Sequence, residues 1–324
     1  MNVAAQILAA LRQQDGVSGA DLALRFGMSR AAIWAHIEEL RESGFEIEAS
    51  PHRGYCLITA PDRLLADDLM ARLGPMDVIG RDIRVFQETN STNDVVEKLA
   101  RDGVAEGVVV FAEAQSKGRG RLGRQWLSPA GKGLWFSILL RPYLRPQEAT
   151  QLTVAAATAV ARAIQQQTGV TPEIKWPNDL MIGGKKVCGI LTELSAELDH
   201  VKYIILGIGV DVNLASDEFP SELGKIATSL RIATGRLIPR PELAVAILQE
   251  LDREYARILR GEFTAVADEW AQRCTTLGQL VTIRLGDRAL RGRAEALDES
   301  GALLLRTEHG RLERVIGGDV TVEK

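Results

Sequence analysis

The residues of this sequence able to do chemistry gather in a few glycine-bearing runs, not around its histidines. The densest run is GRGRLGR at residues 118–124, inside QSKGRGRLGRQW, which ends at Trp126. Five basic residues and no acidic one lie between Gln115 and Leu134, in a chain whose formal charge is −4. Guanidiniums packed so closely repel one another unless a polyanion lies among them, and arginine's planar fork suits phosphate. Gly118, Gly120 and Gly123 let the backbone fold closely over such a ligand and present N–H groups to it. The run is not a Walker loop. Its glycines match the bare GxGxxG pattern, but the loop is mostly basic. A solvated, mobile loop is the ordinary alternative.

A second run is KWPND, residues 175–179, followed by Gly183, Gly184, Lys185 and Lys186. Pro177 fixes the backbone, while Asn178 and Asp179 signal a turn and offer oxygens. The Gly-Gly pair reads as a hairpin presenting two lysines. An ammonium beside a phosphate or activated carboxylate stabilises the charge that develops as an acyl phosphate forms. An ordinary hairpin with solvated lysines is the alternative. A third run, Thr89-Asn90-Ser91-Thr92-Asn93, stands at a helix start, where hydroxyls either cap the helix or bind the polar end of a ligand. Asn213 ends the apolar strand LGIGVDVN, in which Gly207 and Gly209 leave room for a ligand or a neighbouring backbone. His36, His52, His200 and His309 are scattered, and HExxH, GxSxG and spaced Cys/His clusters are absent, so a histidine-centred base or metal site is not expected. The combination suits binding a nucleoside triphosphate and joining its phosphate to a small carboxylic acid.

Three textures position these runs. The length of 324 residues predicts two or three domains, and 46% hydrophobic content fills real cores. Residues 1–62 read as helices at 3–13, 19–26 and 30–43 followed by strands at 45–49 and 55–58: a helix-turn-helix with a wing. Residues 63–273 mix helices at 91–102, 147–168, 239–260 and 262–273 with apolar strands at 107–113, 133–140, 187–194 and 203–213, which predicts a mixed sheet flanked by helices. Residues 274–324 are strand-like only and predict a small barrel. The mild acidity excludes a surface that is basic throughout and wraps nucleic acid, though not a small DNA reader. Cys56, Cys188 and Cys274 lie far apart, without a disulfide or zinc pattern. No secretory signal or membrane-length apolar run occurs, so a cytoplasmic location is the expectation.

In the order and spacing of GRGRLGR, KWPND, GKKVCGIL-TEL and GIGVDVN, essentially the whole chain resembles the biotin-protein ligases of the bifunctional bacterial type, which also repress the biotin operon. The resemblance implies an α+β multidomain protein: an N-terminal winged helix-turn-helix, a central SH2-like mixed α/β catalytic domain and a C-terminal SH3-like β-barrel. It implies attack of the biotin carboxylate on the α-phosphate of ATP with Mg²⁺, giving biotinyl-5′-AMP, and then transfer to a lysine of the biotin carboxyl carrier protein of acetyl-CoA carboxylase. Carried over, Ser91, Thr92, Asn93 and Gln115 would contact biotin, and Gly118, Arg119 and Gly120 would hold biotin and its acyl phosphate. Arg121 and Arg124 would close the loop on the phosphates, with Trp126 beside them. Arg119, Arg121 and Lys186 would be catalytic. Lys175, Asn178 and Asp179 would support the nucleotide phosphates, with Asp179 on Mg²⁺. Gly189 would admit the ring system of biotin, and Asn213 would line the nucleotide side. Phe219 is a candidate adenine-stacking ring, and Lys225, Ala227 and Ser229 are candidate lining residues. A ligand sensor without enzymatic activity and a lipoate ligase are the competing readings.

The same resemblance makes the first segment a repressor that binds biotin operator DNA as a homodimer with biotinyl-5′-AMP as corepressor, without a membrane partner. Ser29, Arg30 and Ala31 would lead the recognition helix into the major groove, with Trp34 and His36 further along and Arg53 on the wing. Residues 1–60 hold five basic against seven acidic side chains, so DNA binding there depends on how charge is distributed.

Overall fold

The computed structural model describes residues 3–323 and divides into two compact units, the first ending at Pro75 and the second beginning at Met76. In the first unit, α1 (Val3–Gln13), α2 (Gly19–Phe26) and α3 (Arg30–Glu42) bury Ile7, Leu8, Leu22, Ile33 and Ile37 in one core. The Ser18 hydroxyl accepts a hydrogen bond from Asp21 N and that of Ser29 from Ala32 N, so both predicted N-caps form. Gly27 ends α2 in the left-handed conformation, φ 64°. β1 (Glu46–Ser50) and β2 (Gly54–Thr59) pair antiparallel as the wing. A further helix, α4 (Ala66–Leu73), packs on α1, and its buried Asp68 accepts from Arg12 at 2.5 Å and from Arg72 at 2.8 Å.

The second unit opens with β3 (Asp82–Thr89), α5 (Thr92–Arg101), β4 (Val108–Gln115) and β5 (Gly133–Leu140), then α6 (Thr150–Thr168). Two short strands follow, β6 (Glu173–Lys175) and β7 (Asp179–Ile182), and then the long hairpin β8 (Lys185–Glu197) and β9 (His200–Asp211). α7 (Leu230–Thr234), α8 (Arg240–Leu259) and α9 (Phe263–Ala271) complete the helices. The seven strands run β3-β4-β5-β9-β8-β7-β6, with β3 and β4 parallel and every other neighbour antiparallel. This is the mixed sheet that the sequence predicts. All eight residues of β5 are buried, as a central strand covered on both faces requires. α5 packs on β4, β5 and β9, and α6 packs on β6, β7 and β8.

Charged groups also hold this unit together. Arg240 donates to Glu113 at 2.6 Å where both are buried. The Asp252 carboxylate of α8 accepts from the backbone N–H of Asp77, Val78 and Ile79 at 2.8, 2.9 and 2.8 Å, tying the chain ahead of β3 to that helix. The remaining strands, β10 (Leu280–Leu285), β11 (Arg288–Leu297), β12 (Leu303–Thr307), β13 (Leu312–Val315) and β14 (Asp319–Val322), form an antiparallel sheet of order β13-β12-β11-β10-β14. Val281, Ile283, Ala294, Leu303, Leu305 and Val315 are its core. Among the described residues no helix is long and apolar enough to cross a membrane.

Candidate active site

A cavity of about 540 Å³ opens where β4, β7, β8 and β9 meet the arginine loop, and β10 and β14 contribute to its wall. Its first wall is the start of α5. Ser91 stands at the N-cap position but makes no cap hydrogen bond. The Gln115 side chain, from the end of β4, takes that part instead: its Oε1 accepts from Thr92 N at 2.8 Å, and its Nε2 donates to Ser128 Oγ at 2.9 Å. The Ser91 hydroxyl is thereby left for the cavity. Thr92 Oγ1 lies 2.7 Å from Ser137 Oγ, and Asn93 Nδ2 donates to Glu193 at 2.7 Å.

The loop is folded on itself rather than splayed into solvent. Gly120 N donates to Arg124 O at 2.7 Å and Trp126 N donates to Gly118 O at 2.8 Å. Gly118 does not line the cavity. A Cβ there would come within 2.5 Å of Trp126 O, so its lack of a side chain serves loop closure. Each arginine has a partner. Arg119 donates to Asp94 and, at 3.1 Å, to Glu193; Arg121 donates to Asn178 Oδ1 at 3.0 Å; Arg124 donates to Asp319 at the start of β14. Burial pulls the Arg119 guanidinium down, but Glu193 and Asp94 outweigh it and raise its pKa overall. Burial dominates at Arg121 and lowers it, against the opposing carboxylates of Asp179 and Asp319.

The floor is built around an indole. Gly189 and Gly209 are register partners on β8 and β9, and Trp126 lies over both: a Cβ would come within 2.8 Å of its Cζ3 at Gly189 and 2.6 Å of its Nε1 at Gly209. These two glycines therefore admit Trp126. Gly207 makes room for the Asn93 amide in the same way. Trp126 Nε1 is buried without a hydrogen-bond partner. Lys186 Nζ lies 5.0 Å from the centre of that ring and 2.6 Å from Asp179 Oδ1. Beneath them Asp211 is 5% exposed; burial pushes its carboxyl well above the ordinary range, with Lys186 opposing. Burial likewise pushes the Cys188 thiol up.

The structure thus brings Ser91, Thr92, Asn93, Gln115, Arg119 and Gly120 into one cavity with Arg121, Arg124, Trp126, Lys175, Asn178, Asp179, Lys186 and Gly189. Phe219 and Ala227 reach it too, although Phe219 is mostly buried in a cluster with Trp135 and Leu214. Asn213 is not brought there: its amide is spent on Ile238, donating to O at 2.9 Å and accepting from N at 3.0 Å. Lys225 pairs with Glu222, and Ser229 caps α7, so neither lines the cavity. Sequence reading overlooked Asp211, although it lies in the GIGVDVN run, and Arg284 and Asp319, which no motif marks because they come from strands distant in sequence. Among the described residues no group of three or more His, Cys, Asp or Glu side chains is placed to hold a metal ion, and Asp179, the expected Mg²⁺ ligand, pairs with Lys186.

In the first unit, Ser29, Arg30, Ala31 and Trp34 are exposed at the start of α3, whose Ile33, Ile37 and Leu40 are buried. Trp34 is 56% exposed. His36 lies 3.1 Å from Glu39, and Arg53 on the wing lies 3.8 Å from Asp15.

The profile of the Biotin/lipoate A/B protein ligase family matches residues 85–211, that of the HTH domain residues 3–56, and that of the Biotin protein ligase C terminal domain residues 276–322. The bifunctional ligase/repressor BirA of Bacillus subtilis is 38% identical over 304 residues, covering 94% of this chain and 93% of that protein. Its counterpart in Escherichia coli is 29% identical over 318 residues, 98% of this chain and 96% of that one. Among solved structures, the biotin protein ligase of Aquifex aeolicus in complex with biotin and ATP superposes with a TM-score of 0.64 at 32% identity, over 75% of this chain and 99% of that one. With three domains matched in order and that identity sustained along nearly its whole length, the chain belongs to the family of bifunctional biotin ligase/repressors.

Proposed function

We infer that this protein biotinylates a lysine of a carrier protein through biotinyl-5′-AMP at the expense of ATP, and represses transcription through its winged helix. The observation that carries the ligase half is the cavity itself: cations from the arginine loop and the β7–β8 hairpin surround a part-apolar floor made by Trp126. The biotin carboxylate and the nucleotide α-phosphate are both anionic, so their approach is disfavoured in water. Lys186 and Arg119 would neutralise oxygens as the carboxylate attacks phosphorus and pyrophosphate leaves. Arg121 and Arg124, anchored to Asn178 and Asp319, would hold the loop over the mixed anhydride and exclude water until the carrier lysine's amine attacks the acyl carbon and AMP departs. Ser91 and the polar start of α5 would hold the other end of biotin.

Mg²⁺ would supply charge neutralisation on the phosphates and would arrive with them, and Asp179, beside Lys186, is the carboxylate that would meet it. Carrier protein, operator DNA and the corepressor role of biotinyl-5′-AMP follow by analogy with the relatives. An exposed Arg30 and Trp34 beside the caps of α3 favour groove entry by that helix.

Biotin-dependent ATP–pyrophosphate exchange, run in parallel with lipoate, tests the enzyme. Exchange with biotin alone is expected; exchange with lipoate alone, or with neither, overturns the reading. A mobility shift on operator DNA that strengthens with biotinyl-5′-AMP tests repression, and no shift at low salt with saturating adenylate overturns that half.

A further inference from the structure

The cavity's cations divide by whether they are already spoken for. Arg119, Arg124 and Lys186 sit on carboxylates, and Arg121 is bound to Asn178. Lys175 and Arg284 also line the cavity, and among the described residues their side chains have no hydrogen-bond or ion-pair partner. Lys175 belongs to the KWPND run. Arg284 comes from elsewhere: it stands on β10 of the C-terminal sheet, opposite Asp319 in the β10–β14 ladder. Cross-strand partners project to the same face, so Arg284 lies on the face that presents Asp319 to Arg124. The end of that ladder is built for close approach. Gly318, at φ 142°, has no room for a Cβ, which would meet Ile283 and the Arg284 carbonyl, and a Cβ on Gly317 would come within 2.8 Å of Arg121 Nη2.

An unpaired guanidinium at the wall of a deep cavity, beside two arginines that are already anchored, has one chemical use that the others leave open. We propose that Arg284 binds the terminal phosphates of the nucleotide. This rests on the ligase reading. Arg121 and Arg124 bring the sheet against the loop, and Arg284 adds the fork that takes the β- and γ-phosphates and then the departing pyrophosphate. A docking contact with the carrier protein is the competing use of an exposed arginine, but Arg284 faces the cavity that the nucleotide must enter.

The test uses the full chain. Arg284→Ala, Arg284→Lys and, as a control on the same sheet, Arg288→Ala are compared with wild type in ATP–pyrophosphate exchange, in carrier biotinylation and in calorimetric titration with ATP alone. Arg284→Ala should raise KM and Kd for ATP about tenfold, the loss of one charge-assisted hydrogen-bonded contact, while KM for biotin stays put. Arg284→Lys should recover part of the loss, and Arg288→Ala should behave as wild type. Unchanged ATP affinity in Arg284→Ala overturns the proposal, as does a rise confined to KM for the carrier. Absence of exchange in the wild type would overturn the ligase reading instead, and the titration with ATP alone separates the two.

Discussion

Trp126 shows how single residues set this site. Its indole lies over two glycines on neighbouring strands, so the floor is an aromatic plate whose fit depends on missing side chains. Gly209→Ala would push a methyl group against Nε1. The indole should leave its seat, seen as a shift in tryptophan emission, and KM for biotin should rise by about tenfold or more, because overpacking costs roughly 1–3 kcal/mol. A variant with wild-type emission and KM would remove Trp126 from the site. Asp211 makes a pH prediction. Its folded-state pKa lies well above its unfolded value, so the stability it allows is present below the unfolded carboxylate range and is lost as pH rises through the folded pKa. Asp211→Asn should therefore match the wild type near pH 4 and melt at a higher temperature at pH 7, with the gap growing between them. Equal Tm at both pH values would contradict this.

At the scale of elements, the helices behind the sheet are joined by charge as well as by packing. Arg162 of α6 donates to Glu250 at 2.7 Å and to Glu254 at 2.9 Å on α8, and to Glu269 on α9. Glu250 and Glu254 are almost fully buried. Arg162→Ala leaves them with fewer partners in low dielectric, although Arg253 and Arg257 remain. The expected loss is about 3 kcal/mol of stability, read by denaturant unfolding, without a change in KM for ATP beyond what unfolding explains. Gln115 does the corresponding work at the site, since one side chain from β4 holds both the first turn of α5 and the exit of the loop. Gln115→Ala should raise KM for biotin more than KM for ATP, because Ser91 and Thr92 lose their anchor; equal changes in the two would count against that division.

At the scale of the molecule, repression is carried by a unit with more acidic than basic side chains. Glu38 is paired with Arg41 and Glu39 with His36, and Arg30 and Trp34 stand exposed on α3. Few phosphate contacts mean a shallow salt dependence. Operator affinity should therefore fall with salt less steeply than for a strongly basic reader, and Arg30→Ala should weaken binding at low salt by about tenfold while adenylate formation is unchanged. Full operator binding by Arg30→Ala would place the contact elsewhere.

The sequence by itself determined the helix-turn-helix, its two serine caps, the mixed sheet and the two runs whose cations line the cavity. These rest on local causes: apolar periodicity, capping hydroxyls and glycine punctuation act within a few residues. Edge and short strands were not legible in it, because β3 has little alternation and β6 and β7 have only three and four residues. Nor did it show the purpose of Gly189 and Gly209, whose partner is an indole more than sixty residues earlier in the chain, or that Asn213 turns away to Ile238. Tertiary structure alone decided which cations are already paired and which are free. Charge pairing across the fold depends on strand order, and that order carries Asp319 and Arg284 to an arginine loop more than a hundred and fifty residues away in sequence.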